Sequence, residues 1–189
     1  MLKQNLLIEI GTEELPPKAL LSLSESFKNS MAEQLTKAGL VFDDIEPFAT
    51  PRRLALLIKQ LSTQQADQTI VKTGPAVQAA FSADGTPTKA AEGFARSCGV
   101  SVGELQQRAE GAVLKLVFES VKPGEDTASL IPGFVKQALD TLPVPKRMRW
   151  GSSRNEFVRP VHWIVLLFGT KVIEAEIMGI AAGKLTRGH

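Results

Sequence analysis

Five cations crowd the segment from Lys146 to Pro160: Lys146, Arg147, Arg149, Arg154 and Arg159, against the single anion Glu156. Trp150 and Phe157 sit among them, and Gly151-Ser152-Ser153 offers the backbone a place to turn. Guanidinium and ammonium groups neutralise phosphates, and an arginine beside an aromatic also offers a surface on which a base can stack. The same composition suits a solvated, charged connection whose aromatics point into a core. A second cationic pair, Arg52-Arg53, follows Thr50-Pro51. It either binds phosphate or pairs with the acidic stretch Asp43, Asp44 and Glu46. Glu13 and Glu14 are adjacent carboxylates just ahead of Pro16-Pro17. Acid–base work or cation binding is one use for them; interaction with the positive end of the following helix is the other.

The remaining chemistry-bearing residues point away from catalysis. A phosphate loop needs Gly, four residues, then Gly-Lys-Ser/Thr, so that backbone N–H groups curl around phosphates. The nearest match, Gly179 to Leu185, is one residue short and ends in leucine. No Gly-x-Gly-x-x-Gly is present to support a dinucleotide fold. His162 and His189 are the only histidines, and neither has a second ligand at a metal-binding spacing. His162, between Val161 and Trp163, reads as a partly buried, hydrogen-bonded strand residue. Cys98, the single cysteine, precedes a helix-ending glycine and reads as a small packed residue. No catalytic residue and no metal site is expected.

Composition sets the class. A chain of 189 residues, 43% hydrophobic and 22% charged, is ordinary for a globular protein with a real core. The formal net charge is only +2, but it is unevenly spread. Residues 1 to 140 carry 14 Lys/Arg against 17 Asp/Glu, and residues 141 to 189 carry 8 against 3. The positive field is local to the C-terminal quarter, which suits a docking surface for a polyanion. One cysteine allows no internal disulfide. No apolar run approaches the roughly 20 residues that span a bilayer, so no membrane is expected. Lys3, Gln4 and Asn5 interrupt any signal sequence, and the cytoplasm is the expected compartment.

The elements that must position these side chains follow from periodicity. Leu6 to Ile10 alternates as a strand, with Leu6, Ile8 and Ile10 on one face and Leu7 and Glu9 on the other. Pro16-Pro17 opens a helix whose stripe is Leu20, Leu23, Phe27, Met31, Leu35 and Ala38, ended by Gly39. Val41 to Ala49 and Leu54 to Leu61 read as strands, the second buried on both faces. Residues 74 to 106 are punctuated and alanine-rich, and read as a small helical inset. Within it lies a helix over Thr88 to Cys98, and at its end a capped turn from Ser101 to Gln107, with Glu104 at the capping-box position. Val113 to Val121 returns to strand, Thr127 to Leu142 to amphipathic helix. Val161 to Phe168 and Val172 to Met178 read as a hairpin about Gly169-Thr170. Strands and helices alternate without a regular βαβ rhythm. The expected fold is therefore α+β, a mixed or antiparallel sheet packed with helices, with residues 1–73 and 107–189 as scaffold and 74–106 as inset.

Several strings also resemble a known family. The segment Leu7 to Pro16, the segment Thr50 to Ala55 and the segment Asp84 to Ala95 closely resemble stretches of bacterial glycyl-tRNA synthetase beta subunits. So do Lys146 to Trp150, Phe157 to Pro160 and Thr186 to His189. The strings keep their order and run the length of the chain. Family members continue well past the position of His189, so the resemblance implies an amino-terminal portion.

That resemblance implies a role in an α2β2 enzyme that joins glycine to its tRNA at the expense of ATP. The alpha subunit would carry the catalytic site; beta subunits bind tRNA and hold the assembly together. Implied partners are the alpha subunit, glycine tRNA and the remaining beta domains, with no cofactor bound by this portion itself. On the residues, Lys146, Arg147, Arg149, Arg154 and Arg159, with Arg52, Arg53 and Arg187, are expected to form a phosphate-contacting surface. Trp150 would pack beneath it or stack on a base. The rival expectation is a structural scaffold in which the same arginines pair with carboxylates of protein partners.

Overall fold

The computed structural model describes residues 1–144, 147–150, 152, 154 and 156–188. Lys146 and His189, and Gly151 and Ser153 of the expected turn, lie outside the described residues. The chain runs β1 (Lys3–Thr12), a 3-10 turn (Pro17–Ala19), α1 (Leu20–Lys37), β2 (Asp44–Thr50) and β3 (Arg53–Ser62). It continues through β4 (Gln68–Ala76), α2 (Val77–Ala80), α3 (Lys89–Cys98), a second 3-10 turn (Val102–Glu104), β5 (Gln106–Glu110) and β6 (Val113–Lys122). After α4 (Thr127–Asp140) come β7 (Met148–Arg149), β8 (Glu156–Phe157), β9 (Val161–Phe168), β10 (Lys171–Val172), β11 (Glu176–Ile177) and β12 (Ile180–Gly183). The fold is α+β. Two compact units divide it: Asp67–Pro123 forms one, and the segments before and after it form the other.

The larger unit is built on a 7-stranded sheet in the order β11-β12-β9-β1-β3-β2, with β10 also paired to β9. Its pairs are antiparallel except β12 with β9, which is parallel, so the sheet is mixed. Strand alternation sorts its residues into two faces. On one face lie the rows Ile58–Leu6–Phe168, Leu56–Ile8–Leu166 and Leu54–Ile10–Ile164. All nine side chains are buried, in one core with Leu23, Phe27, Met31 and Leu35 of α1 and Ile131, Val135 and Leu139 of α4. This core explains why α1 holds its place: its apolar stripe recurs at helical spacing and covers the sheet. Gly39 (φ 72°) and Gly99 (φ 71°) adopt the left-handed region at the ends of α1 and α3.

The other face carries the rows Glu46–Leu57–Leu7–Leu167, Phe48–Ala55–Glu9–Val165 and Thr50–Arg53–Gly11–Trp163. Leu7, Leu57, Leu167, Ala55 and Val165 keep part of this face apolar, and Glu46, Glu9 and Arg53, with Phe48 and Trp163, interrupt it.

Two expectations about elements change. Val172 to Met178 is not one strand opposite β9; only Lys171 and Val172 pair with β9, and Glu176 and Ile177 pair with β12. The chain leaves the hairpin because β12 returns parallel to β9, taking Ala182 beside Ile164. The smaller unit is wider than the segment 74–106. It rests on a three-stranded antiparallel sheet, β4-β6-β5, that reaches into the flanking residues on both sides. Its α2 and α3 pack around Ala80, Ala91 and Leu116. The strand β5, Gln-Gln-Arg-Ala-Glu, is exposed throughout, so it carries no apolar alternation from which a strand could be read. The second 3-10 turn does have the expected capping box, with the Glu104 carboxylate accepting from the Ser101 N–H at 2.8 Å.

Candidate functional site

The helix-free face of the large sheet ends in an open cleft of about 740 Å³. It is lined by Thr50, Arg53 and Trp163 of the row Thr50–Arg53–Gly11–Trp163, and by Thr12, Glu13, Glu14, Arg52, His162, Arg187 and Gly188. Four segments distant in sequence therefore meet there: the end of β1 with the residues after it, the β2–β3 turn, the start of β9 and residues 187–188.

Glu9 organises this end of the sheet. It is 6% exposed, and a buried carboxylate is tolerated only where it is paired and hydrogen-bonded. The Trp163 indole N–H donates to its Oε1 at 2.7 Å, and the Thr186 hydroxyl donates to the same oxygen. Arg53 Nε lies 3.8 Å from Oε2, an ion pair too long to be a hydrogen bond. Arg53 also donates through Nη2 to the carbonyl of Arg187. The Arg53 and Arg187 guanidinium carbons stand 5.9 and 5.8 Å from the Trp163 ring centroid, within cation–π range. Gly11 makes room for the ring, since a Cβ there would fall 1.9 Å from Trp163 Cδ2. The result is a closed set of contacts that holds residues 186–187 against the sheet.

His162 departs from its expected place. Gly11 pairs with Trp163 but Thr12 pairs with Val161, so β9 carries one extra residue there, and that residue is His162. Such a bulge re-aims a side chain. His162 is exposed rather than partly buried, with Nε2 3.5 Å from Glu13 Oε1. Glu13 and Glu14 do not sit in a helix first turn either. The 3-10 turn begins at Pro17 and α1 at Leu20, and no acidic residue occupies the first turn of either. Both carboxylates line the cleft instead.

The expected cationic surface divides in two. Arg52, exposed at the tip of the β2–β3 turn, and Arg187 belong to the cleft, with Arg53 in its floor. Arg147, Arg149 and Arg154 lie elsewhere. Arg149 Nε bonds Glu156 Oε1 at 2.7 Å across the short β7–β8 ladder, with its side chain 66% exposed. Arg147 donates to the carbonyl of Asp140 at the end of α4, where a cation suits the negative helix end. Arg154 is exposed and shares a hollow of about 450 Å³ with Arg147, Lys136, Glu156 and Glu176. Arg159 lies beside the cleft group, its Nε donating to the Glu14 carbonyl at 2.9 Å, and it shares a smaller hollow with Glu13 and Glu14. Trp150 is half-buried against the main core. Lys146 lies outside the described residues.

Glu9, Trp163 and Thr186 are site residues that the sequence motifs do not mark. One signal was available for Glu9: a charged residue in the middle of the apolar strand Leu-Leu-Ile-Glu-Ile must find a partner if its neighbours are buried. Nothing in the spacing names Trp163 or Thr186 as that partner. Among the described residues no group of three or more His, Cys, Asp or Glu side chains is placed to hold a metal ion, and no helix is long and apolar enough to cross a membrane.

Relatives give this geometry a context. The pattern of glycyl-tRNA synthetase beta subunits matches residues 6–189. The glycine–tRNA ligase beta subunit of Shewanella amazonensis is 53% identical over 98% of the chain, and that of Hahella chejuensis 52% over 98%. That of Marinobacter nauticus is 48% identical over the whole chain. In each case the chain spans 27% of the relative's own length. With a match over nearly every residue, the chain belongs to the glycyl-tRNA synthetase beta subunit family.

Proposed function

We propose that the chain acts as the amino-terminal part of the beta subunit of a cytoplasmic α2β2 glycine–tRNA ligase. It is non-catalytic in itself. The alpha subunit would activate glycine with ATP, and this portion would help hold glycine tRNA and the assembly. The observation that carries the tRNA contact is the cleft. Arg52 and Arg187 are exposed on its rim, and Arg187 is kept at the indole of Trp163 by the Glu9 contacts beneath. A guanidinium already seated on an indole, as Arg187 is, suits phosphate recognition, because less side-chain freedom is lost on binding.

The test is glycine tRNA binding to the chain across a salt series. Arg52→Ala with Arg187→Ala is compared with Arg147→Ala, Arg149→Ala and Arg154→Ala combined. Each lost phosphate contact should flatten the log–log salt slope by roughly 0.7 to 0.9. The cleft pair should show the larger change. Absence of binding by the wild-type chain at low salt would defeat the tRNA reading.

A scaffold role has its own support. Arg149 is engaged by Glu156, and Arg159 by the Glu14 carbonyl, so these two guanidiniums already serve contacts within the chain. Under that reading the chain binds the alpha subunit at unchanged affinity when tRNA is withheld, and the salt slope for tRNA does not respond to either set of substitutions.

A further inference from the structure

The cleft is bipolar, and that limits what it can take. Arg52 and Arg187, with Arg53 beside them, offer positive charge and planar guanidinium surfaces, while Glu13 and Glu14 line the same space, Glu13 with the His162 imidazole 3.5 Å from its Oε1. The two carboxylates would repel a phosphate occupying the cleft by itself, and they would repel a duplex backbone laid along it. A carboxylate is an acceptor without a donor, so the part of a ligand that reaches it must present hydrogen-bond donors, N–H or O–H. At about 740 Å³ the cleft falls within the range of roughly 300–1,000 Å³ usual for sites that enclose one small ligand. An unpaired nucleotide meets these demands together. Its phosphate answers the arginines, its ring can lie on a guanidinium plane or the indole, and its Watson–Crick edge can donate to a carboxylate.

We infer that this cleft takes one unpaired RNA nucleotide whose base carries an exocyclic amino group, with the phosphate on Arg52 and Arg187 and the base edge on Glu13 or Glu14. Guanine fits best, because its N1–H and N2–H stand side by side and match the two oxygens of one carboxylate. Uracil has no amino group and fits worst. The inference rests on the tRNA reading above and narrows it: an unstacked residue is read here, and the double-helical arms are not.

The chain has two tryptophans, Trp150 and Trp163, and of its two indole N–H resonances that of Trp163 reports directly on the site. Trp163→Phe assigns the one that bonds Glu9. The 5′-monophosphates of guanosine, cytidine and uridine, and inorganic phosphate, are titrated against the chain while that resonance is followed. Guanosine monophosphate should saturate it at about fivefold or more lower concentration than uridine monophosphate, the factor expected from one added hydrogen bond. Glu13→Gln combined with Glu14→Gln should erase that ratio. Arg187→Ala should weaken every nucleotide by a similar factor and leave the ratio in place.

Equal response to all three nucleotides and to inorganic phosphate, or no saturable shift, would overturn the inference. The same variants offered glycine tRNA separate the two readings. If tRNA binds the wild-type chain and the carboxamide variants bind it equally well, the nucleotide cleft is overturned while the tRNA reading stands. Selective mononucleotide binding without tRNA binding would overturn RNA as the source of the nucleotide and with it the tRNA reading.

Discussion

Two groups of arginines sit in the larger unit, and they are held in different ways. Arg53 and Arg187 rest on a sheet of long strands, around a carboxylate only 6% exposed, with an indole between the sheet and the solvent. Arg147 and Arg149 are carried by a two-residue ladder and the end of a helix, and the Arg149–Glu156 pair is open to water on both sides. Density of positive charge favours the second group. Order favours the first. A charge is useful for recognition when its position is fixed by other contacts, and burial of Glu9 supplies that fixing at the cleft.

The strongest way to break this comparison is to disturb the floor of the cleft. Gly11→Ala sets a methyl group where Trp163 lies, and either the indole or β1 must move. A loss of about 2–3 kcal/mol in unfolding free energy is expected, together with a shifted Trp163 indole resonance. A variant as stable as wild type would mean that the ring is not seated on the strand.

Glu9→Gln probes the same place through charge alone. It leaves Arg53 without its anion and puts an amide beside the indole N–H, and should cost about 1–3 kcal/mol in denaturant unfolding. Glu156→Gln removes the opposite partner in the other group. Its cost should stay below about 1 kcal/mol and fade as salt is raised, because that pair is exposed. Equal costs for the two carboxamide variants would erase the distinction between the groups. The smallest effect belongs to Arg147→Ala. Losing one cation at the end of α4 should cost about 0.3–1 kcal/mol, read as a small drop in melting temperature.

Much of the scaffold was legible in advance, and for local reasons. The stripe from Leu20 to Ala38 recurs at helical spacing, so α1 and the face it buries could be read from the residues themselves. Leu6, Ile8 and Ile10 alternate with Leu7 and Glu9, which fixed the two faces of β1. Less could be read where a strand has no buried face. Each residue of β5 is exposed, and to the backbone bonds that any sequence can make with β6 it adds only the surface ion pairs Arg108–Glu119 and Glu110–Lys115. The site was legible only in part. Arg52, Arg53 and Arg187 could be named as cations, and Glu13 and Glu14 as a carboxylate pair. That they line one cleft depends on strand register. His162 shows this most plainly, because one extra residue in β9 decides whether it faces the core or Glu13.

By itself, then, the sequence determined the alternation that builds the strands, the stripes that build α1 and α4, and the family to which the chain belongs. These are encoded over a few neighbouring residues, or over strings long enough to be specific. The tertiary structure decided which cations work together. Residues 9, 53, 163 and 187 are brought within a few ångströms by antiparallel pairing of β1 with both β3 and β9, and by the return of the chain after β12. Spacing along the chain carries no trace of that meeting, because contacts between distant segments are set by register and burial.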